Sequence, residues 1–390
     1  MSSTKVAVSH SSIASGEEAG NYLGKEIVKR LDGEYPDVLI VFASPVFPYD
    51  ALIESLYSSC SPKILVGCSS AGEFSGCYNG ISSVSVMAIR SDDMIFHAAL
   101  GRNVKASRKH AVEELMPAFT ISGHDSYPYR SALVLSDVLA GFADDLIHEI
   151  TVNTGGTFQL FGGGAADDAK FSKTHVFHGL ESASDAVVAL GILSKKPLGI
   201  GVQHGWTNSS KLMRVTEADG LRIISINATT AADVYEQHAK DKGEIFNRED
   251  PLPFFLHNVI GIDTGDGFKL RVPLSLNDDG SITCASEVPV GATVCIMSTS
   301  TSSAIDAARH AAKNALAVLG DSELAGSLVF DCAATRLRLG AEFGQELDSI
   351  AEILGSENFA GCNTYGQIAR AEGQFNGFHN CTAIVCAIPK

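Results

Sequence analysis

The sequence predicts an α/β protein made of three related strand-helix-strand-helix-strand-strand units, with a β-rich insertion between the second and the third. Short apolar runs of strand length alternate with amphipathic stretches of helix length along most of the chain, the pattern of α/β folds. A glycine-bearing turn follows the third strand of each unit: GCSSAGE at Gly67–Glu73, GGGAADD at Gly162–Asp168 and GCNTYGQ at Gly361–Gln367. Recurrence of one turn at one place in three units points to internal duplication.

The first unit covers about residues 1–93. Lys5–His10 is strand-like, Ser15 with Glu18 has the capping-box pattern that opens a helix running to Leu31, and Val38–Ser44 is an apolar strand. A short helix over Asp50–Tyr57, the strand Lys63–Val66, the glycine turn and the strand Val84–Ile89 complete it. The second unit, about residues 94–197, starts near Ile95. It continues through a helix over Ser107–Met116, the strand Ala132–Leu135, a helix over Phe142–Val152 and the strand Phe158–Phe161, and ends on Ala186–Leu193. Residues 198–290 form the β-rich insertion or small domain. Its strands Leu212–Thr216, Arg222–Ile226 and Phe268–Leu274 bracket a helix over Thr230–Lys240, with turns at Gly265-Asp266-Gly267 and Asn277-Asp278-Asp279-Gly280. The third unit, residues 291–390, is expected to begin on the strand Thr293–Met297. The alanine-rich helix Ser303–Leu319, the strand Ser327–Phe330, a helix over Glu342–Leu354 and the strand Thr382–Ile388 follow.

A net charge of −16 and a pI near 5.1 oppose binding to nucleic acid or anionic lipid, because phosphate recognition rests on clustered Lys and Arg and no such cluster occurs. Apolar runs such as Asp37–Ala43 and Thr382–Ile388 fall short of the roughly 18 residues that signal a spanning helix, and Met1–Val8 lacks the apolar core of a secretory signal. A cytoplasmic protein without a membrane span is the expectation. The nine cysteines, an odd number and mostly inside apolar runs, read as reduced, buried thiols. No CxxC occurs, which removes the local signature of zinc ribbons, thioredoxin chemistry and covalent haem attachment. His175 and His178 sit on a probable strand, where their spacing sends the two rings to opposite faces.

Glycine directly after a buried strand allows a sharp turn and brings backbone N–H groups close to a ligand, although it serves tight strand packing equally well. Gly67 to Gly72 has the frame of a phosphate-binding loop, but Glu73 and Phe74 stand where Lys and Ser or Thr would hold phosphate and magnesium. That substitution argues against nucleotide triphosphate hydrolysis. Cys68 follows a strand as a thiol nucleophile does, yet no hydrolase signature surrounds it, and a cysteine-dependent hydrolase is a minor alternative to a buried structural thiol. Asp144-Asp145 and Asp167-Asp168 are adequately explained as acids complementing helix starts. Among twelve histidines three have apolar or aromatic neighbours: His204 beside Trp206, His257 after Phe254 and Phe255, and His379 beside Phe378.

The motifs GCSSAGEF at Gly67–Phe74, FGGGAADD at Phe161–Asp168, GVQHGW, RVTEADG at Arg214–Gly220, KLRVPL, PVGATVCIM, FDCAATR, GCNTYGQI and FHNCT together resemble the FIST family of bacterial sensory domains over nearly the whole chain. Where relatives commonly read G-E-I, this chain has Gly366-Gln367-Ile368 and so lacks a carboxylate. The resemblance implies a non-enzymatic ligand sensor, with residues 1–197 as the N-terminal region, whose output passes to a separate histidine kinase or cyclic-dinucleotide enzyme. Its stand-alone members resemble nitric-oxide-sensing haem proteins. That points to haem b with His257 as axial ligand, His204 or His379 as alternatives, and Phe254, Phe255 and Trp206 around the macrocycle. The alternative is a haem-free sensor of an amino acid or similar metabolite. Gly67, Cys68, Ser69, Gly72, Glu73, Gly163 and Gly164 would then supply the turn contacts, and Arg271 or Arg336 would pair with the ligand carboxylate. A homodimer is compatible with either reading.

Overall fold

A computed structural model of the chain describes residues 4–76, 78–120, 126–371 and 376–390; Cys77 lies outside them. The first unit consists of β1 (Lys5–Ser11), α1 (Gly16–Arg30), β2 (Val38–Ala43), α2 (Tyr49–Cys60), β3 (Ile64–Ser69), β4 (Glu73–Ser75), β5 (Tyr78–Gly80) and β6 (Val84–Arg90). The second consists of β7 (Met94–Arg102), α3 (Arg108–Phe119), β8 (Tyr129–Ser136), α4 (Ala143–Asn153), β9 (Gln159–Gly164), β10 (Val176–His178), β11 (Glu181–Ala183) and β12 (Ala186–Ser194). The chain then lays down β13 (Gly199–Gln203) and leaves for another sheet. That sheet contains β14 (Thr207–Asn208), β15 (Met213–Asp219), β16 (Arg222–Ile226), β17 (Thr229–Thr230), β18 (Asn258–Asp263), β19 (Phe268–Arg271), β20 (Pro273–Leu276), β21 (Ile282–Cys284) and β22 (Thr293–Ser298). The helix α5 (Ala231–Lys242) and the short α6 (Leu252–Phe255) contribute Tyr235, Phe254 and Phe255 to its core. The third unit resumes with α7 (Thr301–Leu319), β23 (Leu324–Cys332), α8 (Ala333–Leu339), α9 (Phe343–Leu354), β24 (Phe359–Thr364), β25 (Gln367–Arg370), β26 (Asn376–His379) and β27 (Ala383–Pro389).

The mixed α/β class is thus observed, and three sheets share one strand order: β1-β6-β2-β3, β7-β12-β8-β9 and β13-β27-β23-β24. Each is completed by a hairpin from another unit. β4 pairs with β24, β10 with β3, and β25 with β9, so the exchange runs in a closed cycle. Period-two alternation then sorts side chains. Ile40 and Phe42 of β2, Leu133 and Leu135 of β8, and Leu328 and Phe330 of β23 meet in a common central core. Leu39, Val134 and Val329 face outward into the layers covered by helices.

Thr293–Met297 does not open the third unit. It is β22 of the fourth sheet, paired with β18 and β15, and the opening strand is β13, which pairs antiparallel with β27. Both segments are apolar and strand-length, so local pattern does not separate them. What suits β13 is its glycines: a Cβ at Gly199 or Gly201 would collide with the Ala315 or Ala311 carbonyl oxygen of α7, which lies directly on this strand.

Candidate functional site

A cavity of about 520 Å³ opens where the carboxyl ends of two parallel pairs, β8–β9 and β23–β24, meet the fourth sheet. Val138 and Leu139 follow β8, Cys332 ends β23 and Thr364 ends β24, while Val272, Leu274 and Cys284 come from the fourth sheet. Ligands in open α/β sheets gather outside the carboxyl ends of parallel strands, where the backbone turns away and leaves space. The volume is that of a small-molecule site.

Among the described residues the wall contains no Asp, Glu, Lys, Arg or His. Its larger polar groups are engaged with the protein. Thr364 Oγ1 donates to the Asp331 carbonyl at 3.1 Å, Asn380 Oδ1 accepts from Val272 N at 3.4 Å, and the Tyr365 hydroxyl donates to Asp167 Oδ1 at 2.5 Å. Apolar surface is therefore what the cavity chiefly offers a ligand.

Asp167 organises the rim. Its carboxylate accepts from Phe171 N at 2.8 Å, Ser172 N at 2.8 Å, Ser172 Oγ at 2.9 Å and Lys173 N at 2.9 Å, as well as from Tyr365. Phe171 is thereby stacked on Tyr365, ring centroids 4.4 Å apart and planes 10° from parallel. Burial opposes the charge, but the Tyr365 hydroxyl and the loop N–H groups outweigh it and hold this carboxyl below its ordinary value. Asp167 is thus a buried loop clamp and half-buried Asp168 accepts from Ser44 Oγ at 2.8 Å, so this pair is not a solvated helix start, whereas Asp144-Asp145 does open α4.

The glycine turns bind one another. Ala71 N donates to Asn363 O at 3.0 Å, Tyr365 N to Gly164 O at 3.1 Å and Ala166 N to Ser69 O at 2.9 Å, a ring of backbone bonds linking equivalent positions of the three units. Ser69 N is likewise bound to His175 O, and Gly164 N to Gly366 O. Gly67, Gly162 and Gly361 stand where a Cβ would strike the carbonyl oxygen of Val41, Val134 or Val329 on the adjacent strand. These glycines serve close packing, and at Gly163 a Cβ would meet Thr364. The N–H groups that the sequence offers a ligand are largely consumed in the fold.

Glu73 is buried, accepting from Ser70 Oγ at 2.5 Å, Ser83 Oγ at 2.8 Å and Ser83 N at 3.1 Å; burial pushes its carboxyl up to about 7. Gln367 occupies the equivalent place in the third unit and makes matching bonds, from Nε2 to Thr364 Oγ1 and from Thr382 N to Oε1. The carboxamide is a structural replacement there. A Cβ on Gly72 would meet the guanidinium of Arg336, which donates to Asn363 Oδ1, Asn79 Oδ1 and Gly80 O and lies over Phe343. Arg271 is fully buried and ion-paired with Asp144, and also donates to Glu287 O, Leu270 O and Phe378 O. Neither arginine lines the 520 Å³ cavity.

The structure does not bring the three histidines to that wall either. His257 is exposed, although Leu252 and Leu256 of the same segment do line the cavity. Phe254 and Phe255 pack with Tyr235 and Phe246 in the core of the fourth sheet. His204 Nε2 lies 3.2 Å from Phe268 O, and its Nδ1 accepts from Trp206 N at 3.3 Å. His379 is buried, and burial followed by the charges of Lys269 and Arg271 lowers it to about 3, so it is neutral at ordinary pH. His175 packs edge-on to Tyr49, while His178 is at the end of β10.

The eight described cysteines are all free and buried, and Cys68 sits in the central core against Cys362. A second cavity of about 10 Å³, roughly the room of one water, is lined by Asp331, Glu346, Arg338, His204 and Cys381. The cavity residues that sequence reasoning missed include Tyr365, Phe171 and Cys332. For Tyr365 a signal existed: it replaces the alanine found at Ala71 and Ala166 in the other two turns.

Comparison with known families matches the FIST N domain to residues 37–229 and the FIST C domain to residues 231–370. The two matches meet inside the fourth sheet, between β17 and α5. An uncharacterized protein of Methanocaldococcus jannaschii is 25% identical over 243 residues, 58% of this chain and 45% of that protein. The chain thus matches less than half the length of this relative. Among the described residues no helix is long and apolar enough to cross a membrane.

Proposed function

Because the chain belongs to the FIST family, we propose that it is a sensor whose ligand is a small, uncharged and largely apolar molecule held in the 520 Å³ cavity. FIST domains are small-ligand sensing domains of signalling proteins. The observation that carries the choice of ligand is the wall without ionised side chains. An ion entering it would lose water and gain no partner of opposite charge, which costs far more than apolar contact returns. A zwitterionic amino acid is disfavoured for the same reason, and the arginines that would have received its carboxylate are occupied elsewhere.

The residues present do not offer haem b an axial histidine in this cavity. The ligand would instead act through position. It would touch the second unit, the third unit and the fourth sheet at once, and a separate signalling protein, a histidine kinase or a cyclic-dinucleotide enzyme, would read their altered packing.

Titration with 1-aminoanthracene, an uncharged apolar fluorophore, tests the reading. Saturable fluorescence enhancement together with a rise in melting temperature is expected, since a ligand that binds only the native state stabilises it. An absence of binding, or stabilisation by amino acids alone, would overturn it. Haemin giving a histidine-type Soret band that disappears in His257→Ala would replace it with the haem reading.

A further inference from the structure

We propose that Cys332 and Cys381 form a redox-responsive dithiol at the wall of the large cavity, converted to a disulfide by an organic hydroperoxide. Cys332 ends β23, which pairs antiparallel with β27 and sets Phe330 opposite Ile384, so the pairing carries Cys332 alongside the segment entering β27, where Cys381 lies. Both cysteines pack in one buried cluster. Cys332 lines the 520 Å³ cavity, while Cys381 stands behind it and lines the 10 Å³ cavity. An oxidant entering the large cavity meets Cys332 first, with Cys381 in the same buried cluster behind it.

The electrostatics assign the same roles. The neighbouring Cys381 thiol lowers the Cys332 thiol despite its burial, whereas Cys381 is pushed well up and keeps its proton. A thiolate is the nucleophile towards peroxide, and a neighbouring thiol resolves the product. Cys284 also lines the cavity, but burial pushes its thiol up to about 12. Cys68 and Cys362 also share one cluster, yet they are sealed in the central core and line neither cavity.

The chemistry balances. Cys332 sulfur attacks the terminal oxygen of the hydroperoxide, the O–O bond breaks, and the alcohol leaves with a proton, giving Cys332 sulfenic acid. Cys381 sulfur then attacks the Cys332 sulfur, the S–O bond breaks and water leaves with the Cys381 proton. Two thiols have been oxidised by two electrons, and one hydroperoxide has been reduced to an alcohol and water. An uncharged oxidant such as cumene hydroperoxide suits a wall without Asp, Glu, Lys, Arg or His. Disulfides in reducing compartments are characteristically transient and redox-sensing.

The test uses the reduced full chain, treated with cumene hydroperoxide, quenched with iodoacetamide in denaturant and digested. A Cys332–Cys381 crosslinked peptide is expected, with loss of two of the nine thiols, reversed by dithiothreitol. It should form at least ~10-fold faster than any Cys68–Cys362 crosslink, because access governs thiol reactivity. Trp206, the only tryptophan, belongs to the same packed cluster, so its fluorescence should change at the rate of crosslinking. Cys381→Ser should leave a sulfenic acid on Cys332 that dimedone traps, and Cys332→Ser should abolish both signals. Oxidation at Cys68–Cys362 at an equal rate, or crosslinking of Cys332 with Cys381 only after unfolding, would overturn the proposal. The peptide map of the unsubstituted chain decides this even if a variant fails to fold.

Discussion

Tyr365 and Asp167 are joined by a 2.5 Å hydrogen bond that ties the turn after β24 to the loop carrying Phe171, so the rim of the cavity is built from two different units. Tyr365→Phe keeps the ring but removes this donor. A loss of about 1.5–3 kcal/mol in urea unfolding at pH 7 is expected, the range for a hydrogen bond to a charged group. The pH dependence has a definite sign. Asp167 has a lowered folded value, so its contribution is present above the unfolded value and disappears as pH falls through the folded one. The difference between parent and variant should therefore shrink in acid. An equal difference at pH 7 and pH 3 would separate Tyr365 from the ionisation of Asp167.

Glu73→Gln should stabilise the protein in alkali. Between pH 4.5 and about 7 the folded state retains a proton that the unfolded chain has released, so stability falls as pH rises across that window. The full effect is about 3–4 kcal/mol from the size of the shift. Gln367 already makes the corresponding bonds in the third unit, which shows that the site accepts a carboxamide. Thermal melts should give the variant the advantage at pH 8 and little or none near pH 4.5.

Asp144→Ala should be among the more damaging single changes. It strips the counter-ion from fully buried Arg271, and leaving a buried charge unpaired costs about 3–5 kcal/mol. Lys269, 2.8 Å from Asp144, would lose its partner as well. Arg271→Met added to Asp144→Ala should recover part of the loss, because the unpaired charge is gone. Denaturant melts of the two single variants and the double variant measure that coupling.

Ala334→Phe should separate binding from folding. Ala334 lines the cavity on α8 and is half-buried, so a larger apolar side chain can enter the space without displacing a packed neighbour. Stability should change by less than about 1.5 kcal/mol, as for tolerated apolar changes. Binding of 1-aminoanthracene should weaken at least ~10-fold, equivalent to about 1.4 kcal/mol. Unchanged affinity would place the probe elsewhere.

Much of the fold was legible in short stretches. Ser15 accepts from Glu18 N at the start of α1, and the run Val38–Ala43 alternates between the central core and the helix layer as its pattern implies. The candidate site was far less legible. His257 and its two phenylalanines look like a cofactor pocket in sequence, but they part company in the fold, the histidine outward and Phe255 into a core. Arg271 has no local feature announcing that Asp144, in another unit, neutralises it. Tyr365 was detectable only by comparing the three turns with one another.

By itself the sequence determined the α/β class, most strands and helices of the three units, the recurring glycine turns and the existence of the inserted sheet. Those features follow from capping, alternation and turn chemistry, which act over a few residues. The tertiary structure alone decided that β13 and not β22 opens the third unit, that the hairpins are exchanged in a cycle, and that the turns spend N–H groups on one another. It also decided where the cavity lies, because that space is enclosed by segments remote in sequence. The physical reason is the same in each case: a strand edge or a buried donor takes the partner that leaves the fewest polar groups unpaired and the least apolar surface in water, and that choice is made over the whole chain.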